Sequence, residues 1–204
     1  MVSELTGFMA KNLHIVSAVF RFWAPWIYRF YLETLAKLKA EEPQIASFHT
    51  RTAFAAMSFN FGPNAVTAEH TDSQNYAGGF CVVTSLGSFD STRGGHLFVR
   101  ELGIVAEFPV GASILLPSAI LNHGNTPIGQ DEYRASVTMY TAGGLFRRVD
   151  QGYVRQGEMA KAELDQFFAQ APLNWEAALG RYSTVDSLTD DHKRAFDGLG
   201  ELEL

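Results

Sequence analysis

Apolar positions follow a helical period near the start of the chain and a shorter period in its middle. From Pro25 to Leu38, apolar residues recur at three- and four-residue spacing, which is typical of one buried helical face. Pro25 suits the first turn of that helix. A further helix is predicted before it, over Leu5–Phe20. These patterns predict an N-terminal helical region over residues 1–50.

The middle of the chain, residues 51–146, consists of short apolar runs separated by Gly, Pro, Asn or Asp. Short strands at this spacing, without helices between them, are typical of an all-β sandwich or barrel. Eight strands are predicted: Ala53–Phe61, Ala65–His70, Gly79–Leu86, Gly95–Arg100, Ile104–Phe108, Ala112–Leu116, Ile120–His123 and Arg134–Tyr140.

The pattern becomes helical again beyond Gly144, which predicts a C-terminal helical region over residues 147–204. Helices are expected at Glu158–Phe168 and Trp175–Leu179, the second capped by Asn174. No linker-like segment interrupts the chain. We therefore expect one domain over residues 1–204, mainly β with flanking helices.

Composition and charge restrict the class of protein. The 204 residues are 47% hydrophobic and 19% charged, with 16 Phe, which is typical of a globular chain with a full core. The formal net charge of −6 does not favour nucleic-acid binding, which remains possible through a local basic groove. The single cysteine, Cys81, cannot form an intramolecular disulfide and is expected to be a core thiol.

The apolar N-terminus does not predict a membrane span. Arg21 and Arg29 interrupt it, whereas a spanning helix needs about 20 predominantly apolar residues. The order of segments in a signal peptide is also absent. We expect an intracellular protein, cytoplasmic or nuclear, without a membrane partner.

A candidate metal site begins at His70 and Asp72. In an extended chain, residues two positions apart share a face, so the imidazole and the carboxylate can point to one spot. They would supply two of the three ligands of the 2-His-1-carboxylate triad that holds non-haem Fe(II). His-x-Asp alone is also compatible with a chance pairing on a turn.

His123 is the preferred second imidazole, because it ends a predicted apolar strand; His96 is the other candidate in a strand, and a structural role is expected for it. On the last predicted strand, Arg134 and Ser136 share a face. A guanidinium beside a hydroxyl suits a bound carboxylate. The alternative for Arg134 is a salt bridge at the rim with Glu132 or Glu107.

In this order along the chain, His70, Asp72, His123, Arg134 and Ser136 resemble the Fe(II)- and 2-oxoglutarate-dependent dioxygenases. The resemblance implies a double-stranded β-helix, or jelly-roll, core. It also implies that His70, Asp72 and His123 hold iron, while Arg134 and Ser136 bind the distal carboxylate of 2-oxoglutarate. Hydroxylation of a substrate C–H bond by O₂ would then release succinate and CO₂.

Short motifs within residues 54–149 carry a narrower resemblance. They are Phe59-Asn60-Phe61-Gly62-Pro63-Asn64, His70-x-Asp72-x-x-Asn75, Leu86-Gly87-x-Phe89-Asp90, Gly94-Gly95-His96-Leu97, Pro117-Ser118-Ala119 and Tyr140-Thr141-Ala142-Gly143-Gly144-Leu145-Phe146. This set resembles the basidiomycete-type relatives of the ten-eleven-translocation and base-J thymidine hydroxylases. The resemblance implies oxidation of the 5-methyl group of a pyrimidine, and it places Asn75 beside the substrate; Asn75 is also a candidate turn residue.

The sequence leaves other functions open. The substrate class includes small metabolites, free nucleobases or nucleosides, and methylated bases in DNA, which would have to be flipped out of a duplex. A small-molecule 2-oxoglutarate oxygenase is one alternative. Another is a catalytically silent β-helix domain that binds a ligand in its pocket or a partner on its aromatic N-terminal helix. A third alternative is a cupin-type metalloenzyme that does not use 2-oxoglutarate, in which Arg134 would have no function.

Overall fold

The computed structural model describes residues 2–43 and 52–197. Residues 44–51, which include His49 and the end of the predicted N-terminal region, lie outside the described part. Within it the helices are α1 (Val2–Trp23), α2 (Pro25–Glu41), α3 (Gly143–Asp150), α4 (Lys161–Ala169), α5 (Ala171–Leu179) and α6 (Leu188–Phe196). The strands are β1 (Ala56–Asn60), β2 (Cys81–Ser88), β3 (Leu97–Val99), β4 (Ile104–Ala106), β5 (Ser113–Leu116), β6 (His123–Asn125) and β7 (Tyr133–Tyr140).

The chain forms two compact units, one over residues 56–143 and one over residues 1–55 with 144–204. The first unit contains every described strand. Its strands form two antiparallel sheets, ordered β1-β7-β2-β5 and β4-β3-β6. The predicted β-rich middle with helices before and after it in the chain is therefore present; the jelly-roll topology stays a prediction.

The core of the β unit lies around Cys81. This side chain is fully buried with Leu97, Val99, Phe108 and Leu116. Burial raises the pKa of the Cys81 thiol to about 12, because an apolar environment disfavours the thiolate. Cys81 is thus a neutral core thiol, as the sequence predicted.

The helical unit is built around aromatic side chains. Phe20 of α1 contacts Tyr28 of α2 edge-on at 5.4 Å between ring centroids and stacks on Phe54 at 5.2 Å. Tyr31 of α2 meets Phe146 of α3 at 5.0 Å. Such pairs stabilise by about 0.5–1.5 kcal/mol beyond the area they bury. The aromatic stripe of α2 is therefore largely used inside this unit.

Three predicted elements differ from the structure. Residues 65–70, predicted as a strand, form no ladder, and their one β-bridge joins His70 to His123. The predicted strand Ile120–His123 is displaced, because residues 117–121 turn and pairing starts at His123. Asn174 lies inside α5, which begins at Ala171, and therefore does not cap it. Helix α6 was not predicted; its polar face contains Asp190, Asp191, Lys193 and Arg194.

No helix in the described ranges is both long and apolar enough to span a membrane.

Candidate metal centre

The segment that carries His70 is held in place by both side-chain and backbone hydrogen bonds to residues of β6 and β7. Asn125 of β6 accepts a hydrogen bond from the backbone N–H of Thr67 at 2.9 Å and donates one to the carbonyl of Ala65 at 3.2 Å. The Arg134 guanidinium also donates to the Ala65 carbonyl, at 2.6 Å. The Ala65 N–H also donates to the Arg134 carbonyl, and the Asn125 N–H donates to the Thr67 carbonyl, each at 3.1 Å. Because these contacts satisfy its backbone groups, the segment stays extended without joining a sheet.

His70 and His123 are brought together by a single antiparallel bridge. Each donates its backbone N–H to the carbonyl of the other at 3.0 Å. In such a pair the two side chains leave the backbone on the same face. Their ring centroids lie 4.4 Å apart. Two imidazoles separated by 53 positions in the sequence thus share one site.

Asp72 completes the cluster from the turn that follows His70. Its backbone N–H donates to the carbonyl of Ser118 at 2.8 Å, which fixes the turn. One carboxylate oxygen lies 3.4 Å from Nε2 of His70, and the other lies 4.0 Å from Nε2 of His123. The candidate ligand atoms of all three residues lie within 4.8 Å of one another.

Both imidazoles have the same tautomer. Nδ1 of His70 lies 2.9 Å from the carbonyl oxygen of Ala68, and Nδ1 of His123 lies 2.9 Å from that of Leu121. A carbonyl oxygen only accepts, so each Nδ1 must carry the proton. Each Nε2 faces Asp72 and is the nitrogen available to a metal ion, as in histidine ligands whose second nitrogen bonds a backbone carbonyl.

Arg134 is buried beneath the same cavity. Only 2% of the residue is exposed. Its Nη1 donates to Ala65, whereas its Nε has no partner in the described structure. Burial lowers the pKa of the guanidinium, with no acidic side chain opposing the shift. A buried charge without a counter-ion is costly, so this position suits an anionic ligand.

The rim salt bridge considered for Arg134 is wrong. The Glu132 carboxylate instead accepts hydrogen bonds from the backbone N–H groups of Asp90 and Gly129, each at 2.7 Å. Arg134 points inward because it lies on the cavity face of β7. Alternate residues of a strand share a face, and Ser136, Thr138 and Tyr140 follow it there.

The side chains on this face enclose a cavity of about 460 Å³, a volume within the usual range for small-molecule sites. All the sequence-predicted site residues line it. The lining residues are Ser58, Asn60, Thr67, His70, Thr71, Asp72, Ser73, Gln74, Asn75, Val83, Leu97, His123, Gly124, Asn125, Arg134, Ser136, Thr138 and Tyr140.

Several residues of the site were assigned no role from the sequence. Asn60 donates to the Ser136 hydroxyl at 3.0 Å, and Asn125 supports the segment before His70. Both are amides in short strands, a signal that sequence reasoning could have used. Ser118, part of a quoted motif, anchors Asp72. His96 is engaged structurally, since its Nε2 lies 2.7 Å from the carbonyl of Ser91.

The donor set fits Fe(II). Two imidazoles and one carboxylate, converging from one side, are the ligands of the facial triad, which leaves coordination positions open. 2-Oxoglutarate fits beside it, because the buried Arg134 offers a charged partner for a carboxylate and Ser136 adds a hydroxyl two positions along the same face.

The chain was compared with known proteins at three levels. No protein-family model matches it, and no curated protein matches it. Solved structures that are similar include "NgTET1 in complex with 5mC DNA", with 12% identity and a TM-score of 0.42, where the alignment covers 64% of this chain and 54% of that chain. This chain therefore spans about half the length of the NgTET1 chain.

Two prolyl hydroxylases are also similar. The viral collagen prolyl hydroxylase of Paramecium Bursaria Chlorella virus-1, solved as a 2OG complex, has 9% identity and a TM-score of 0.29, with 53% of this chain and 68% of that chain covered. A prolyl 4-hydroxylase of Phytophthora capsici has 13% identity and a TM-score of 0.31, with 80% and 56% covered. These likenesses are partial, and the function proposed below is supported by the site geometry.

Proposed function

We propose that this protein is an Fe(II)- and 2-oxoglutarate-dependent dioxygenase that hydroxylates a C–H bond of a neutral, polar substrate. The observation that carries the proposal is the pairing of the His70, Asp72 and His123 cluster with Arg134 in one cavity. A metal-binding cluster alone would fit many enzymes. A buried guanidinium without an acidic partner, lining the same cavity, supports a carboxylate-bearing cosubstrate.

The residues have separate tasks in this proposal. His70, Asp72 and His123 hold the ferrous ion, and the Asp72 carboxylate offsets part of its charge. When bound, the iron, 2-oxoglutarate and O₂ supply the oxidising power, with one oxygen atom entering the substrate C–H bond and the other remaining in succinate after CO₂ leaves. Arg134 and Ser136 hold the distal carboxylate of 2-oxoglutarate, and the protein supplies orientation.

The rest of the cavity supports an uncharged substrate. Apart from the three metal-binding residues and Arg134, every lining residue is uncharged. Thr71, Ser73, Gln74 and Asn75 contribute hydroxyl and amide groups on the turn after His70. A neutral molecule with several hydrogen-bonding groups fits this lining better than a phosphate or a second carboxylate, which would lack a cationic partner.

A pyrimidine base with a 5-methyl group is one molecule of this kind, as the narrower sequence resemblance implies. In that case the Asn75 side-chain oxygen is the group proposed to contact it, since its amide nitrogen donates to Asp72 and Ser118. A small neutral metabolite is the alternative. The net charge of −6 favours a free base, a nucleoside or a metabolite over a duplex.

The test has two stages. Anaerobic addition of Fe(II) and then 2-oxoglutarate to purified protein should produce the weak visible charge-transfer band of the chelate. Succinate release should then be stimulated by one class among 5-methylated nucleosides, 5-methylated oligonucleotides and neutral metabolites. Absence of both the band and succinate would refute the proposal. Stimulation by metabolites alone would refute its pyrimidine branch.

A further inference from the structure

We infer that Asn75 and Ser118 are positioning residues that hold the Asp72 carboxylate in the orientation required to bind the metal. This inference rests on the proposed function, because it assumes that Asp72 is a metal ligand. The side-chain amide of Asn75 donates to Oδ2 of Asp72 at 3.3 Å and to the hydroxyl of Ser118 at 3.2 Å.

The orientation of the amide follows from its neighbours. An ionised carboxylate only accepts hydrogen bonds, so the Asn75 atom facing Asp72 must be the nitrogen. The backbone supports the same arrangement, because the Asn75 N–H donates to the Asp72 carbonyl at 2.8 Å. Asn75 is therefore fixed at both its backbone and its side chain relative to the candidate ligand.

Ser118 makes the arrangement rigid from the other side. It is 1% exposed, its carbonyl accepts the Asp72 N–H at 2.8 Å, and its hydroxyl receives the Asn75 amide. The hydrogen bonds from Asn75 thus connect buried Ser118 to one oxygen of Asp72.

The two carboxylate oxygens of Asp72 have different contacts. Oδ2 receives the Asn75 amide, whereas Oδ1 is the oxygen 3.4 Å from Nε2 of His70. Holding Oδ2 leaves Oδ1 as the preferred metal-binding atom and disfavours rotation of the group. Residues that orient metal ligands in this way typically change metal affinity by about 10–100-fold when mutated.

The experiment measures Co(II) binding to the whole protein, by titration calorimetry and by the visible d–d spectrum. Asn75→Leu keeps the side-chain volume and removes the donor. We expect its Co(II) affinity to fall by about 10–100-fold, with a changed d–d spectrum. Ser118→Ala should cause a smaller loss, because the Asn75 to Asp72 contact remains. Gln130→Leu replaces an exposed amide outside the cavity lining and should leave the Co(II) affinity unchanged.

The outcomes separate this inference from the proposed function. If wild-type protein binds Co(II) and Asn75→Leu matches it in affinity and spectrum, the positioning role is overturned while the metal site stands. If wild-type protein binds no Co(II), both fall. Should circular dichroism show that Asn75→Leu is unfolded, Ser118→Ala decides: a loss of affinity supports the role, and wild-type affinity overturns it.

Discussion

His70 and His123 lie directly opposite each other, and each donates its backbone N–H to the carbonyl of the other at 3.0 Å. The segment around His70 belongs to no strand ladder, so this reciprocal pair is an isolated bridge. It sets the distance between the two imidazoles through backbone atoms alone.

Removing either imidazole should abolish tight metal binding. In His123→Ala, the bridge to His70 remains because it is made by backbone atoms, and only the ligand nitrogen is lost. We expect Co(II) affinity to fall by more than the roughly 10–100-fold typical of outer-shell changes. Titration calorimetry measures this loss. His14→Ala, on α1, is the matched histidine control, and equal loss in both variants would contradict the assignment.

Replacing Arg134 should weaken 2-oxoglutarate binding and spare the metal. In Arg134→Met, a carboxylate in the cavity loses its charged partner, which typically costs about 2–5 kcal/mol, or roughly 30-fold or more in affinity. The Ala65 carbonyl still accepts from Asn125. The measurement is the 2-oxoglutarate dependence of the charge-transfer band, with the Co(II) affinity as the internal control.

Without added cosubstrate, Arg134→Met should be at least as stable as wild type. Exchanging a buried, unpaired charge for an apolar side chain of similar volume is often neutral or stabilising. We expect Arg134→Met to unfold at the same or a higher temperature than wild type when no ligand is added. With Co(II) present in both samples, added 2-oxoglutarate should further stabilise wild type and not the variant. A strongly destabilised variant would show that Arg134 serves the fold instead.

The Cys81 thiol should be inert in the folded protein. Its pKa is raised to about 12 by burial, so little thiolate exists at pH 8, and the thiolate is the reactive form. A disulfide exchange reagent should modify it only after denaturation. Because the thiol pKa is raised in the folded protein, the buried Cys81 side chain contributes its full stabilisation below about pH 9, near the pKa of the thiol in the unfolded chain. That stabilisation is lost as the pH rises toward 12. Cys81→Ala should not show that loss of stability at alkaline pH when the free energy of unfolding is measured by urea denaturation.

Gly87 should be required for β2 to lie against β7 beside Arg134. Its φ is +125°, and an added Cβ would lie 2.2 Å from the carbonyl oxygen of Tyr133. Gly87→Ala should therefore lower the free energy of unfolding by more than Gly103→Ala. At Gly103, φ is +61° but the space is open, so only backbone strain of about 1–2 kcal/mol is expected. Urea denaturation compares them, and equal losses would rule out the steric cause.

The sequence by itself determined the class of the elements and the candidate chemistry. The three- and four-residue spacing after Pro25 predicted α2, and the short apolar runs predicted the β-rich middle. His70, Asp72, His123 and Arg134 were selected by residue type and order, because few side chains can bind a ferrous ion or a buried carboxylate. These are local properties, and a linear pattern records them.

Only the tertiary structure decided how those groups meet. The sequence predicted a strand before His70, whereas Asn125 and Arg134 satisfy that backbone from other strands. The sequence was compatible with a surface salt bridge for Arg134, whereas the fold buries the guanidinium away from acidic side chains. Asn75 and Ser118 are 43 positions apart in the sequence, and only the fold brings both of them to Asp72. Hydrogen bonds between distant segments depend on the folded arrangement, and the sequence pattern does not record which segments become neighbours.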